Sequence, residues 1–220
     1  PFSLSDSISL ANLGADFGVI GNGPIASTNK GRAYGAEFLV QRKASKGLFG
    51  ILSYTYVRSE FQDVNGDYVP SSWDARHILT LTAGKKFDNN WQVGLKWRFV
   101  GGLPYTPYDV QASALKENWN VRGAGLPDYS RLNERRLSNF QQLDLRVDKT
   151  WYFKKWSLNL YFDIQNAYNF KAEQQDNLNV EQNANGEPVT DPNDPSRYEL
   201  YRIDNEAGTV LPTLGVIFDI

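Results

Sequence analysis

The chain has 220 residues, a formal net charge of −2 and no cysteine; its length is compatible with one domain. That charge excludes a general nucleic-acid binder, and the missing cysteine excludes disulfides, thiolate metal sites and thiol catalysis. With one histidine, a mean hydropathy of −0.49 and no run of 18 apolar residues, a His-based metal cluster and a transmembrane helix are excluded too. A β-barrel remains open, because a spanning strand needs only about 9–11 residues and only every second one meets lipid. Aromatics make up 14% of the chain, enough for interfacial belts. The start at Pro1-Phe2, without Met or signal peptide, implies either a removed leader or a piece of something longer.

Residues 31–43 set Tyr34, Ala36, Phe38 and Val40 against Gly35, Glu37, Gln41 and Lys43, the period of two that a strand requires and a helix cannot give. Residues 48–60 are ambiguous, because Ile51 and Val57 share a face with Ser53 and Thr55. In 74–87, Leu79, Leu81, Ala83 and Phe87 oppose Arg76, Thr80, Thr82 and Lys86. In 91–101, Trp91, Val93, Leu95, Trp97 and Phe99 oppose Gln92, Gly94, Lys96 and Arg98. Next come Leu143, Leu145, Val147, Trp151 and Phe153 against Gln142, Asp144, Arg146, Asp148 and Thr150, with Lys149 interrupting the apolar row. The clearest strand, 156–166, sets Trp156, Leu158, Leu160, Phe162 and Ile164 against Ser157, Asn159, Tyr161, Asp163 and Gln165. A seventh strand covers 209–220.

Alternation alone does not separate a barrel from a soluble sandwich. Loop lengths do more. Residues 44–47, 88–90 and 154–155 are tight turns, whereas 61–73, 104–139 and 170–208 are long. Short turns at one rim and long loops at the other belong to an outer-membrane barrel, and soluble domains rarely carry two loops of over 30 residues. Phe87, Trp91, Trp151, Phe153, Trp156 and Phe218 bunch beside the short turns, as an aromatic girdle would. The apolar rows are then expected to face outward and to be exposed in the chain taken alone.

The chain ends Thr213-Leu-Gly215-Val-Ile-Phe218-Asp-Ile220. This pattern is similar to the C-terminal strand by which bacterial outer-membrane barrels are recognised and inserted, with Thr213, Gly215, Phe218 and Ile220 carrying the signal. The runs 31–38 (GRAYGAEF), 52–59 (LSYTYVRS), 74–79 (DARHIL), 101–107 (GGLPYTP) and 158–169 (LNLYFDIQNAYN) together resemble the C-terminal barrel region of TonB-dependent outer-membrane receptors, in the style of the Bacteroidota. The resemblance covers about 12–220. It implies an all-β fold: an antiparallel transmembrane β-barrel segment of about 7–8 strands out of roughly 22, with short periplasmic turns and long extracellular loops. Residues 1–30 would be an extracellular loop and 31–220 the C-terminal part of the barrel. It further implies an active transporter of a siderophore, cobalamin, oligosaccharide or peptide, in the outer membrane of a Gram-negative bacterium. The implied partners are outer-membrane lipid, the plug and other strands of the same receptor, TonB with ExbB/ExbD through a missing N-terminal part, and the barrel assembly machinery. Ile220 departs from the terminal Phe usual in such receptors.

No catalytic constellation, cofactor site or metal site is expected. His77 near Asp74 and Arg76 lacks a second His or a nucleophile and reads as structural. Asp63-Val-Asn65-Gly-Asp67 shares its first spacings with a calcium loop, but Gly66 is misplaced and no Glu follows; Asn65-Gly66 reads better as a type I′ turn. The run 191–195 (DPNDP) reads as a rigid solvated loop. Within 104–139, Tyr105, Tyr108, Trp119, Tyr129, Arg131, Arg135 and Arg136 mix aromatic faces with guanidinium groups. They are the candidates for ligand contact, although a loop packing on itself needs similar residues. The loop 170–208 shows few apolar anchors. The competing reading is a complete small outer-membrane barrel acting as an adhesin or structural protein; seven strands count against it, since bacterial barrels use even numbers.

Overall fold

The computed structural model describes residues 2–3, 8–9, 12 and 24–220, so the loop expected over 1–30 falls largely outside the described residues. Seven long strands follow in order: β1 (Gly31–Ser45), β2 (Leu48–Gln62), β3 (Arg76–Lys86), β4 (Trp91–Val100), β5 (Phe140–Tyr152), β6 (Ser157–Gln165) and β7 (Leu211–Asp219). Each pairs antiparallel with its neighbour in sequence, and the short strand Tyr68–Pro70 extends the far end of β2. The fold is all-β and antiparallel. Its sheet is open: β1 and β7 are the two edges of the path and do not pair with each other.

The short turns have the chemistry that their lengths demand. Lys46 and Gly47 both take positive φ, 50° and 75°, the type I′ geometry of a two-residue hairpin. At 87–91 the Asn90 amide donates to the Phe87 carbonyl and the Phe87 amide to Trp91, with Asn90 left-handed at φ 62°. Across the β5–β6 turn the rings of Phe153 and Trp156 stack at 3.9 Å.

Directly paired residues share a face, so the register sorts the whole sheet. Tyr54 pairs with Phe38 and Leu79, Leu81 with Leu52 and Trp97, Leu95 with Ala83 and Leu145, Val147 with Val93 and Phe162, and Phe162 with Leu214. This makes one apolar face running unbroken across all seven strands. It resolves β2, where Leu52, Tyr54 and Tyr56 join the apolar face and Ile51 and Val57 the other. No residue of the two clearest rows is buried, and Phe38, Phe162 and Val216 are 58%, 44% and 64% exposed. The buried apolar residues lie elsewhere: Ala75, Ala114, Trp119, Leu132, Leu178 and Val180, with Ile8, all fall outside the seven strands. A sheet that folds around its own core buries one face; this one does not.

The strands are staggered in a constant sense. Leu48, at the start of β2, leads along the register through Lys85, Val93, Val147 and Phe162 to Leu214, five positions before β7 ends at Asp219. That is about one residue per strand, and with about 3.3 Å per residue and 4.8 Å between strands it corresponds to a tilt of about 35°.

At the other rim the two long loops form one unit. Helices α1 (Val110–Ala114) and α2 (Lys116–Arg122) sit in the first; the second pairs Asn177–Val180 with Leu200–Ile203. The loops are stitched together where the Lys116 amide donates to the Ser196 carbonyl at 3.0 Å and the Tyr198 amide to Ala114 at 2.8 Å. Of the few apolar anchors expected in 170–208, Leu178 and Val180 are buried, Leu178 against Gly125 of the first loop. One correction concerns Asn65-Gly66. Only Gly66 has positive φ, and the Gly66 amide donates to Asp63 while the Asp63 amide donates to Asp67. This is a type I turn followed by a left-handed glycine, preferred because the Asp63 carboxylate accepts the Asn65 and Asp67 amides at 2.9 and 2.8 Å.

Candidate functional site

The face opposite the apolar one carries a charged and hydrogen-bonded cluster on β4 and β5. Arg146 forks onto Asp148 at 2.9 and 2.8 Å, Arg98 lies 3.7 Å from Asp144, and Gln142 donates to Asp144 at 2.6 Å. Arg98, Asp144 and Arg146, with Lys96, Asp163 and Gln165, line a trough of about 420 Å³. The Arg146 guanidinium stacks 3.9 Å from the Tyr161 ring centroid, and that ring lies over Gly215, where a Cβ would come within 2.2 Å of it. Phe49 over Gly84 and Phe61 over Gly31 repeat the arrangement. Large ring and glycine thus fill one cross-strand space, a device that pins register.

A second constellation sits where the strands meet the long loops. Asp74 is fully buried. Its Oδ1 accepts the Ser59 amide at 2.9 Å and Arg58 Nε at 3.2 Å; its Oδ2 accepts Arg136 Nη2 and lies 3.6 Å from Arg76 Nε. Arg136 also donates to the carbonyls of Asp74 and Gly102, at 2.7 and 2.8 Å. Burial lowers the Arg136 pKa from its ordinary value, the Asp74 hydrogen bond opposes this, and neighbouring Arg76 adds to it. Glu60 continues the network, accepting from Arg58 at 2.6 Å and Arg32 at 2.7 Å. One carboxylate therefore fastens β2, the 63–75 loop and the 101–139 loop together. Beside it, Asp63, Val64, Tyr129, Arg131, Glu134 and Arg136 help to line a cavity of about 620 Å³.

The structure separates the seven aromatic and arginine candidates, of which Arg136 belongs to the Asp74 network. Tyr129 and Arg131 line this cavity, with Arg131 forked onto Glu134 at 2.8 and 2.9 Å. That hydrogen bond holds the Glu134 carboxyl below the usual carboxylate range. Trp119 is buried in the loop unit on α2, a packing position and not an open one. Tyr105 pairs with Arg135 across two short strands, and Tyr108 bridges to Pro127 with its ring against the backbone of Gly125. Of the terminal residues, Thr213 and Gly215 lie on the polar face opposite Asp163 and Tyr161. Phe218 pairs with Leu158 on the apolar face, 5.0 Å from the Trp156 ring, and Ile220 lies just past β7.

His77 sits on the apolar face, its Nδ1 2.9 Å from the Tyr54 hydroxyl and its ring 5.5 Å from Tyr56. Asp194 accepts from Ser196 and Arg197, which makes 191–197 a chain of hydrogen-bonded turns. Among the described residues no group of three His, Asp or Glu is placed to hold a metal. The Asp74 hub was the feature sequence reasoning missed. Asp74 and Arg76 stand in a recognisable run, but the decisive partner, Arg136, is 62 positions away. No known family model matches the chain and no curated protein is significantly similar to it.

Proposed function

We propose that this chain is the C-terminal segment of an outer-membrane β-barrel of the TonB-dependent receptor type, and that the whole protein imports a scarce ligand across the outer membrane with energy relayed through TonB. The observation that carries this reading is the apolar face across seven strands, which no other element covers among the described residues, backed by a charged and hydrogen-bonded face. Water on the apolar side would be costly over so large an area; hydrocarbon is the solvent it fits. The row from Trp91 to Phe99 spans nine residues, the length that crosses a bilayer when tilted, and a tilt of about 35° lies in the barrel range. Lys149, a charge within an outward row, directs its ammonium to the Asn89 carbonyl at 2.6 Å, between Trp91 and Trp151. It thus reaches the rim in the way a membrane-interfacial lysine does.

Both edges are bare. Every residue of β1 is exposed, and of β7 only Gly215, under the Tyr161 ring, is partly covered. Open edges do not persist in hydrocarbon, and β1 does not close on β7, which weighs against a stand-alone small barrel or adhesin. We assign the missing neighbours to further strands of the same receptor. The cavity at Tyr129 and Arg131 is the proposed extracellular ligand contact, and the Asp144–Arg146–Asp148 face the lumen wall. The test is to delete the polypeptide in a Gram-negative host and measure uptake of labelled iron chelates, cobalamin, oligosaccharides and peptides, with and without a protonophore. Loss of uptake of one class, matched by protonophore treatment of the intact strain, is expected. Unchanged uptake of every class, or recovery of the protein outside the outer-membrane fraction, overturns the proposal.

A further inference from the structure

The charges of this protein are sorted by rim. Arg42, Lys43, Lys46, Lys85, Lys86, Lys149, Lys154 and Lys155 cluster at the short-turn ends, so eight of the chain's 23 basic residues stand there against Asp88, Asp148 and Asp219 of its 25 acids, with Asp148 engaged by Arg146. The remainder of the chain is correspondingly acidic. Three of the cations, Arg42, Lys85 and Lys149, lie on the apolar face itself, since they pair with Gly50, Val93 and Leu160. All three stand within three residues of the short-turn end of their strand. They mark the lower margin of the apolar band beside the aromatic girdle: the Lys85 ammonium is 5.1 Å from the Phe87 ring centroid and that of Lys149 is 5.4 Å from Trp91. At the opposite rim, Arg32 and Arg58 on the same face are engaged by Glu60. None of the eight short-turn cations has an ion-pair partner among the described residues.

We propose that this rim is a binding surface for the headgroups of anionic phospholipids, with Arg42, Lys85 and Lys149 contacting the phosphates and the girdle rings flanking them. The proposal rests on the membrane reading above and adds its lipid chemistry. Unpaired cations at the level where the apolar band meets headgroups are complementary to a negative leaflet surface, each contributing about fivefold in affinity. An acidic protein partner would instead engage the cations of the turns, Lys46, Lys154 and Lys155, and leave the outward three unused.

The full-length polypeptide is refolded into vesicles of phosphatidylcholine containing one-third phosphatidylglycerol, with the acyl chains of one lipid brominated at a time. Trp91, Trp151 and Trp156 report which lipid occupies the rim. Phosphatidylglycerol is expected to be preferred at the rim about fivefold or more, and the triple variant R42Q/K85Q/K149Q to bring that ratio close to one while inserting as well as wild type. Equal quenching by the two lipids in wild type overturns the headgroup site and leaves the membrane reading intact. A preference that survives the triple variant also overturns it. Absence of quenching by either lipid overturns both.

Discussion

The substitution Phe162→Arg puts the outward face to a quantitative test. Phe162 pairs with Val147 on one side and Leu214 on the other, both apolar. It stands four residues above Leu158, the girdle end of β6, which at 3.3 Å per residue and a tilt of about 35° places it about 11 Å above that rim. In a band about 25 Å tall this is close to the midplane, where an arginine on the lipid face costs about 2–4 kcal/mol. The folded population should therefore drop about 30- to 1,000-fold. Asn159→Arg is the control, since Asn159 faces the polar side and hydrogen-bonds Thr150 at 2.9 Å; it should cost under about 1 kcal/mol. Leu160 is a poorer probe, because Lys149 stands directly opposite it and would add like-charge repulsion. The assay is guanidinium unfolding of the full-length protein in lipid vesicles. Equal shifts for the two variants would refute the facial assignment. A soluble core would also reject an arginine at this position, so Phe162→Trp completes the test: its fluorescence should be quenched by bromine at mid-chain. Protection from that quencher would refute lipid exposure however costly the arginine proved.

Asp74→Asn removes the charge that three arginines share and should destabilise the loop-side rim by about 3–5 kcal/mol, seen as faster proteolysis within 101–139 while the strands stay protected. Gly215→Val drives a side chain into the Tyr161 ring and should cost about 1–3 kcal/mol, lowering the yield of folded protein in a vesicle refolding assay; an unchanged yield would contradict the ring-over-glycine packing. The Asp194 carboxyl is held below its ordinary value by the Ser196 hydroxyl and amide, and Glu134 is likewise lowered by Arg131. Depressed carboxyl pKa values stabilise the folded loops at any pH above the ordinary carboxylate range, and that contribution disappears as pH falls through the folded values. Near-ultraviolet circular dichroism from the loop aromatics should therefore stay constant from pH 8 to about 5 and decline below about pH 4; a decline already complete at pH 6 would point to other groups.

The strands were determined locally. Period-two alternation in 31–43, 91–101, 143–153 and 156–166 is a property of neighbouring residues, and the pleat converts it directly into two faces. The short turns were equally local, since Lys46-Gly47 needs nothing beyond its own backbone preferences. Residues 48–60 were undecided because Ile51 and Val57 compete with Leu52 and Tyr54 for the apolar side, and only pairing with Phe38 and Leu79 selects one. The Asn65-Gly66 turn went to a different type because the Asp63 carboxylate, two residues upstream, captures the amides that a type I′ turn would leave free. In the long loops composition does not settle burial: Trp119 was available for ligand by its chemistry but is a buried residue of α2, and Leu178, one of the few apolar anchors of 170–208, is buried against Gly125 of the other loop. The Asp74 hub was beyond local reading altogether. A buried carboxylate is stable only with its cations in place, and which of the chain's arginines supply them depends on a fold that brings 58, 74, 76 and 136 to one point.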